Sequence, residues 1–148
     1  MSSKMEDFRK DEQPVRFFTI DEANDLIPVL EAKLRECDRI LLEIRAVGEL
    51  TDDIEWYWGD SIREEGNPDR GEYLKLEKEK GARIDRWNNA IQEINRLGVI
   101  LKNPDMGLID FYSSREGQVI LLCWQRGEME IHYWHTLEGG YSGRRPLE

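Results

Sequence analysis

From Ile20 onward, apolar side chains return at steps of three and four: Ile20, Ala23, Ile27, Leu30, Leu34, Cys37, Leu41 and Ile44, closing near Val47 and Gly48. That spacing draws one oily stripe down a helix. Thr19-Ile-Asp-Glu22 supplies its start, because a hydroxyl and a carboxylate three residues apart can each accept the other's free backbone N–H. Pro28 lies inside the pattern and predicts a bend. A second stripe, Tyr73, Leu76, Ile84, Trp87, Ile91, Ile94 and Leu97, follows the cap-and-proline signal Asn67-Pro68-Asp69 and stops at Gly98. Two such stripes in succession predict a long antiparallel helical hairpin over 15–98. Between them Glu49 to Gly66 mixes acids with Ile54, Trp56, Tyr57 and Trp58, and is expected to be a long loop, 49–66.

After Gly98 the period falls to two. Strands are expected at 99–102, 108–113, 118–124 and 128–135, with turns at Ser114-Arg-Glu-Gly117 and Arg126-Gly127. If Arg126-Gly127 closes a two-residue loop, Leu122 faces Ile131 and Trp124 faces Met129, with Ile109 and Phe111 beside Leu122 and Ile120 on the same apolar face. Asp110, Val119, Leu121, Cys123, Glu130, His132 and Trp134 then share the opposite face. The first face is expected to pack on the helices. The second needs a cover, for which the Ile54–Trp58 segment, the tail from Thr136 and a second copy of the chain all qualify; a second copy helped by the tail is favoured, which makes the protein a homodimer. The fold class is therefore α+β: a long antiparallel helical hairpin packed on a three- to four-stranded antiparallel β-meander. It forms a single domain over 15–148, the meander spanning 99–135, with a disordered tail at 1–14 and a Gly/Arg tail at 136–148.

Charge narrows the function. Lys plus Arg is 21 against 31 Asp plus Glu, a formal charge of −10, so nucleic acid and anionic membrane surfaces are repelled. No apolar run approaches the roughly 20 residues of a membrane helix. Cys37 and Cys123 sit in apolar runs without a CxxC pattern, which fits a reduced cytoplasm and a protein without a cofactor. Asp110 and His132 fall in one row of the second face, with Cys123 and Glu130 beside them, a set able to hold a metal or activate a water. If a metal is bound elsewhere, Glu128, His135 and Glu138 offer ligand-type side chains at short spacing. Arg144 and Arg145 concentrate positive charge in the tail, suited either to clamping a small anionic ligand or to tying the tail to Glu128 or Glu130. Trp56-Tyr57-Trp58 offers stacking surface for a cation or sugar, or an aromatic clump on the sheet.

Several local patterns belong together: Phe18-Thr-Ile-Asp-Glu-Ala-Asn24 opening a long helix, Gly107-Leu-Ile-Asp-Phe111, Leu122-Cys-Trp124, Gly127-Glu128, Trp134-His135, Gly143-Arg144 and Pro146-Leu147. Together they resemble the uncharacterised prokaryotic family known as domain of unknown function 2203, over nearly all of the chain from Val15 to Leu147. The match is specific in the C-terminal third and loose between Gly48 and Arg70. The resemblance implies a small cytoplasmic α+β protein of bacteria or archaea, attaches no reaction, and marks Asp110, Trp124, Glu128, His135 and Arg144 as motif positions. With His132 these are the candidate binding residues. The function expected is non-catalytic interaction or small-ligand binding by a homodimer, with a metal-assisted hydrolase using a His/Glu site on the C-terminal sheet as the alternative.

Overall fold

The computed structural model describes residues 15–148, so the tail expected at 1–14 lies outside the described residues. Two helices, α1 (Ile20–Trp58) and α2 (Arg70–Asn95), precede five strands. The described residues cluster into two compact units, one of 36–90 and one of 15–35 with 91–148. No helix among them is long and apolar enough to cross a membrane.

In the unit of 36–90, the apolar stripe of α1 does not end at Gly48. It continues as Val47, Thr51, Ile54 and Trp58, and the long loop expected at 49–66 is instead ten further residues of helix and a short 3-10 turn, Gly59–Arg63. The threonine concealed this: it is 1% exposed, and its hydroxyl, which reads as a break in an oily pattern, donates to the Gly48 carbonyl at 2.9 Å. Trp58 closes the helix by donating its indole N–H to Asp69 Oδ2 at 2.7 Å. Cys37, Ile40, Ile44, Val47, Ile62, Tyr73, Leu76 and Trp87 form the core, with Ile40 rather than Leu41 in the buried slot. Glu43 reaches Arg83 at 3.7 Å and Arg86 at 3.5 Å, tying α1 to α2. The Tyr73 hydroxyl donates to Glu55 and accepts from Arg63, and burial followed by that carboxylate raises its pKa. Trp56 and Tyr57 are largely exposed, and only Trp58 of the aromatic run is partly buried.

The unit of 15–35 with 91–148 carries the sheet. Its start is the one the sequence predicts: the Thr19 N–H donates to Glu22 Oε1 at 2.9 Å and the Glu22 N–H to Thr19 Oγ1 at 3.1 Å. The strands are β1 (Ile100–Asn103), β2 (Leu108–Arg115), β3 (Gln118–Gln125), β4 (Tyr133–His135) and β5 (Arg145–Pro146), all antiparallel and adjacent in chain order. There are thus five strands rather than three or four, the fifth drawn from the tail. Between β2 and β3 the loop is only Glu116-Gly117, both at positive φ (53° and 79°), the geometry whose twist matches that of paired strands. Gly107 has φ 64°, and a Cβ there would stand 2.5 Å from the Arg126 Cβ, so the turn before β2 requires glycine.

The β3–β4 register departs from expectation. Arg126-Gly127 does not close a hairpin; Leu122 pairs with Trp134 instead of Ile131, a slip of three residues that exchanges the faces of the last strand. The cause is Glu128. Its backbone oxygen accepts from the Trp124 indole N–H at 2.8 Å and its carboxylate from the Gln125 N–H at 2.6 Å, which folds 125–128 into a tight turn. The chain then leaves the sheet, and the buried Ile131 donates its N–H to Asn24 Oδ1 on α1 at 2.7 Å before β4 begins. Ile109, Phe111, Leu122 and Trp124 share one face, as expected, and all are fully buried. Ala23, Ile27, Leu30 and Leu34 of α1, with Ile91 and Ile94 of α2, complete that core, and Phe18 meets Phe111 edge-on at 5.2 Å. Each large side chain there contributes roughly 1.5–3 kcal/mol.

Candidate functional site

The opposite face of the sheet carries a polar core. Asp110 on β2 pairs in register with Cys123 on β3, which pairs with Tyr133 on β4; His135, two residues on, lies on the same face. The three-residue slip therefore places His135, not His132, opposite Leu121, on the Asp110 face and one row from Asp110 itself. His135 Nε2 stands 3.1 Å from Asp110 Oδ2, and one ligand atom from each of Asp110, Cys123 and His135 lies within 4.8 Å of the others. All three residues are 0–1% exposed. Among the described residues this is the one such convergence of metal-ligating groups.

Hydrogen bonding there is incomplete. His135 Nδ1 lies 2.7 Å from the Thr136 carbonyl, which only accepts, so Nδ1 carries a hydrogen. A neutral imidazole then presents a bare Nε2 lone pair to the Asp110 carboxylate, acceptor against acceptor. A cation must lie between them, whether a proton or a metal ion. Asp110 Oδ1 is buried with no hydrogen-bond partner of good geometry, the weakly donating Cys123 thiol lying beside the same carboxylate. Burial first, then the Asp110 carboxylate, push the Cys123 thiol up to about 12, with Arg144 pulling against them; by itself the thiol is neutral and not a nucleophile.

Arg144 and Glu128 form the next layer. Arg144 Nη2 donates to Glu128 Oε1 at 2.8 Å, to Oε2 at 2.9 Å and to the Cys123 carbonyl at 3.3 Å. Its guanidinium lies 4.1 Å from the Tyr133 ring centre and 4.9 Å from that of Tyr141, whose hydroxyl donates to Gln125 Oε1. Burial opposes the Arg144 charge, but Cys123 and Glu128 more than offset it and its pKa is raised. The tail thus ties to Glu128, one of the two carboxylates expected for it, and this arginine is occupied by the protein itself.

The remaining candidates separate. Trp124 is fully buried and serves packing and the Glu128 turn. His132 is exposed, 3.9 Å from Glu130, and faces an open cleft of about 570 Å3 with Asn24, Arg115, Tyr133 and Leu147. Glu128, His135 and Glu138 do not converge: Glu128 is spent on Arg144 and Glu138 is exposed. Cys123 is the member that sequence reasoning set beside Asp110 without its true third partner. Only the register of β4 could have revealed it.

The family described as "Uncharacterized conserved protein (DUF2203)" matches residues 16–147. The chain belongs to that family. No curated protein matches it, and no solved structure does. In this DUF2203 chain, four of the five motif positions marked by resemblance (Asp110, Glu128, His135 and Arg144) lie in the buried cluster or in the ion pair beside it, and the fifth, Trp124, holds the turn that sets the register.

Proposed function

We propose that the protein is a non-catalytic metal-binding protein that holds one divalent transition-metal ion on Asp110, Cys123 and His135. The observation that carries this is Asp110 Oδ1, without a hydrogen-bond partner of good geometry inside a sealed cluster of carboxylate, thiol and imidazole. Glu128 and Arg144 cancel each other's charge, which leaves the Asp110 carboxylate as the unbalanced buried anion, a costly state without a cation. A divalent ion with a thiolate, a neutral imidazole and a carboxylate restores neutrality. The mixed S/N/O set selects zinc or a neighbouring first-row ion over magnesium or calcium, which prefer oxygen alone. Enclosure favours holding over turnover, because a substrate has no route to donors that are 0–1% exposed. A homodimer belongs to the same proposal: Phe17 (50% exposed), Val119 (43%) and Tyr112 leave apolar surface on this face for a second copy.

The test is elemental analysis of protein purified without an affinity tag, followed by cobalt titration of the metal-free protein. About one equivalent of ion is expected, together with thiolate-to-cobalt charge-transfer absorption that Cys123→Ser abolishes. Wild-type protein that takes up neither zinc nor cobalt at micromolar concentration would sink the reading and leave a proton as the bridging cation.

A further inference from the structure

Of the residues from His132 to Glu148, His135 alone is buried; every other one is exposed or half-exposed. This strap includes β4, three residues long, and β5, two residues long. Its other ties to the body of the sheet lie at partly exposed positions: three register pairs with β3, Arg115 over the Trp134 ring at 5.0 Å, Tyr141 to Gln125 at 3.0 Å, and Arg144 to Glu128 and to the Cys123 carbonyl. A segment held in this way has no oily anchor. Its one buried group is an imidazole set against a carboxylate, which repels docking unless a cation joins them.

We propose that the ion is the clasp of the C-terminal strap, so that metal occupancy decides whether residues 132–148 are seated on the sheet. The inference rests on the metal-binding reading above and adds its consequence. Asp110 and Cys123 sit on β2 and β3, in the body of the sheet, while His135 is the strap's own donor; coordination therefore converts three separate strands into one ring. Where a site is completed only in the folded state, the free energy of binding the ion is free energy of docking. The cleft of about 570 Å3 follows the strap, since His132, Tyr133, Pro146, Leu147 and Glu148 form one of its sides. Ion loading thereby assembles that cleft, and the protein responds to metal availability by building or dismantling it.

Hydrogen exchange of the full-length chain, zinc-loaded and after chelation, reads this directly, with bound zinc quantified in each sample. Chelation is expected to speed exchange of the 133–147 amides by roughly tenfold or more while β2 and β3 stay protected. Trypsin provides a second reading at the Arg144–Arg145 bond, which should be cut faster without zinc. Cys123→Ala removes one ligand and leaves Asp110 set against His135, so it should fold, lose tight zinc binding, and show the labile strap whether zinc is present or not. Glu128→Gln should retain the zinc response. One equivalent of zinc bound with unchanged strap exchange on chelation overturns this inference and leaves the metal site standing. Absence of bound zinc in the wild type overturns both, and a strap in Cys123→Ala as protected as in zinc-loaded wild type overturns the clasp alone.

Discussion

Removing the two members of the Glu128–Arg144 pair should not cost the same. The pair's side chains are 21% and 12% exposed, between a surface pair worth about 0–1 kcal/mol and a buried pair whose breakage costs about 3–5 kcal/mol. In Glu128→Ala, Arg144 keeps only the Cys123 carbonyl at 3.3 Å, its Nε stays bare, and the Gln125 N–H loses its acceptor; about 2 kcal/mol is expected. In Arg144→Ala the Glu128 carboxylate still accepts from Gln125 and is nearer water, so about 1 kcal/mol is expected. The double variant should lose about 2 kcal/mol rather than the sum, a coupling of about 1 kcal/mol. At roughly 3 °C per kcal/mol for a unit of this size, calorimetry on zinc-loaded protein should show Glu128→Ala melting about 6 °C below wild type. The reasoning fails if Arg144→Ala is the worse of the two, or if the double variant costs the full sum. Either result would release Arg144 from a structural tie and return it to the role of ligand clamp.

Gly107→Ala forces a Cβ to within 2.5 Å of the Arg126 Cβ at a φ of 64°, and should lower stability by about 2 kcal/mol or more in urea titration; a loss under about 0.5 kcal/mol would show that this turn can shift. In metal-free protein the raised Cys123 pKa means that the folded state keeps a proton the unfolded chain gives up. The stability this supplies is complete below pH 9.0 and is lost progressively towards pH 12, so Cys123→Ser should flatten the alkaline decline measured by denaturation across that window. Val119→Glu, on the exposed part of the second face, should reduce a dimer to a single chain in light scattering, and a wild-type mass equal to one chain at micromolar concentration would end the homodimer proposal.

Much of the architecture was legible because it is written in local chemistry. The Thr19–Glu22 box, the helical stripes and the alternation through β2 and β3 are each satisfied within a few residues of themselves. Two misreadings share a physical cause, a polar group doing the job of an apolar or turn residue. Thr51 fills a buried helical slot by bonding to Gly48, which hid ten residues of α1. Glu128 makes the turn after β3 with its own carboxylate, which moved β4 by three residues and put His135 where His132 was expected. Asp110 and Cys123 were placed on one face correctly but in different rows: the turn expected at Ser114 to Gly117 is only Glu116-Gly117, and the resulting shift of two residues keeps the faces while pairing Asp110 with Cys123 instead of Leu121. The tail strand β5 carries no alternation in Arg145-Pro146, so nothing in its residues announced it.

The two borders of the sheet are unsuited to recruiting further strands. β1 is four residues long and loses its register between Leu101 and Asn103, and β5 is two residues long and ends in Pro146, which has no N–H to offer. Fibre-like stacking of one molecule's margin on the next is thereby discouraged even at high concentration. The homodimer proposed above would therefore have to use a face of the sheet, a contact that two copies can close between them.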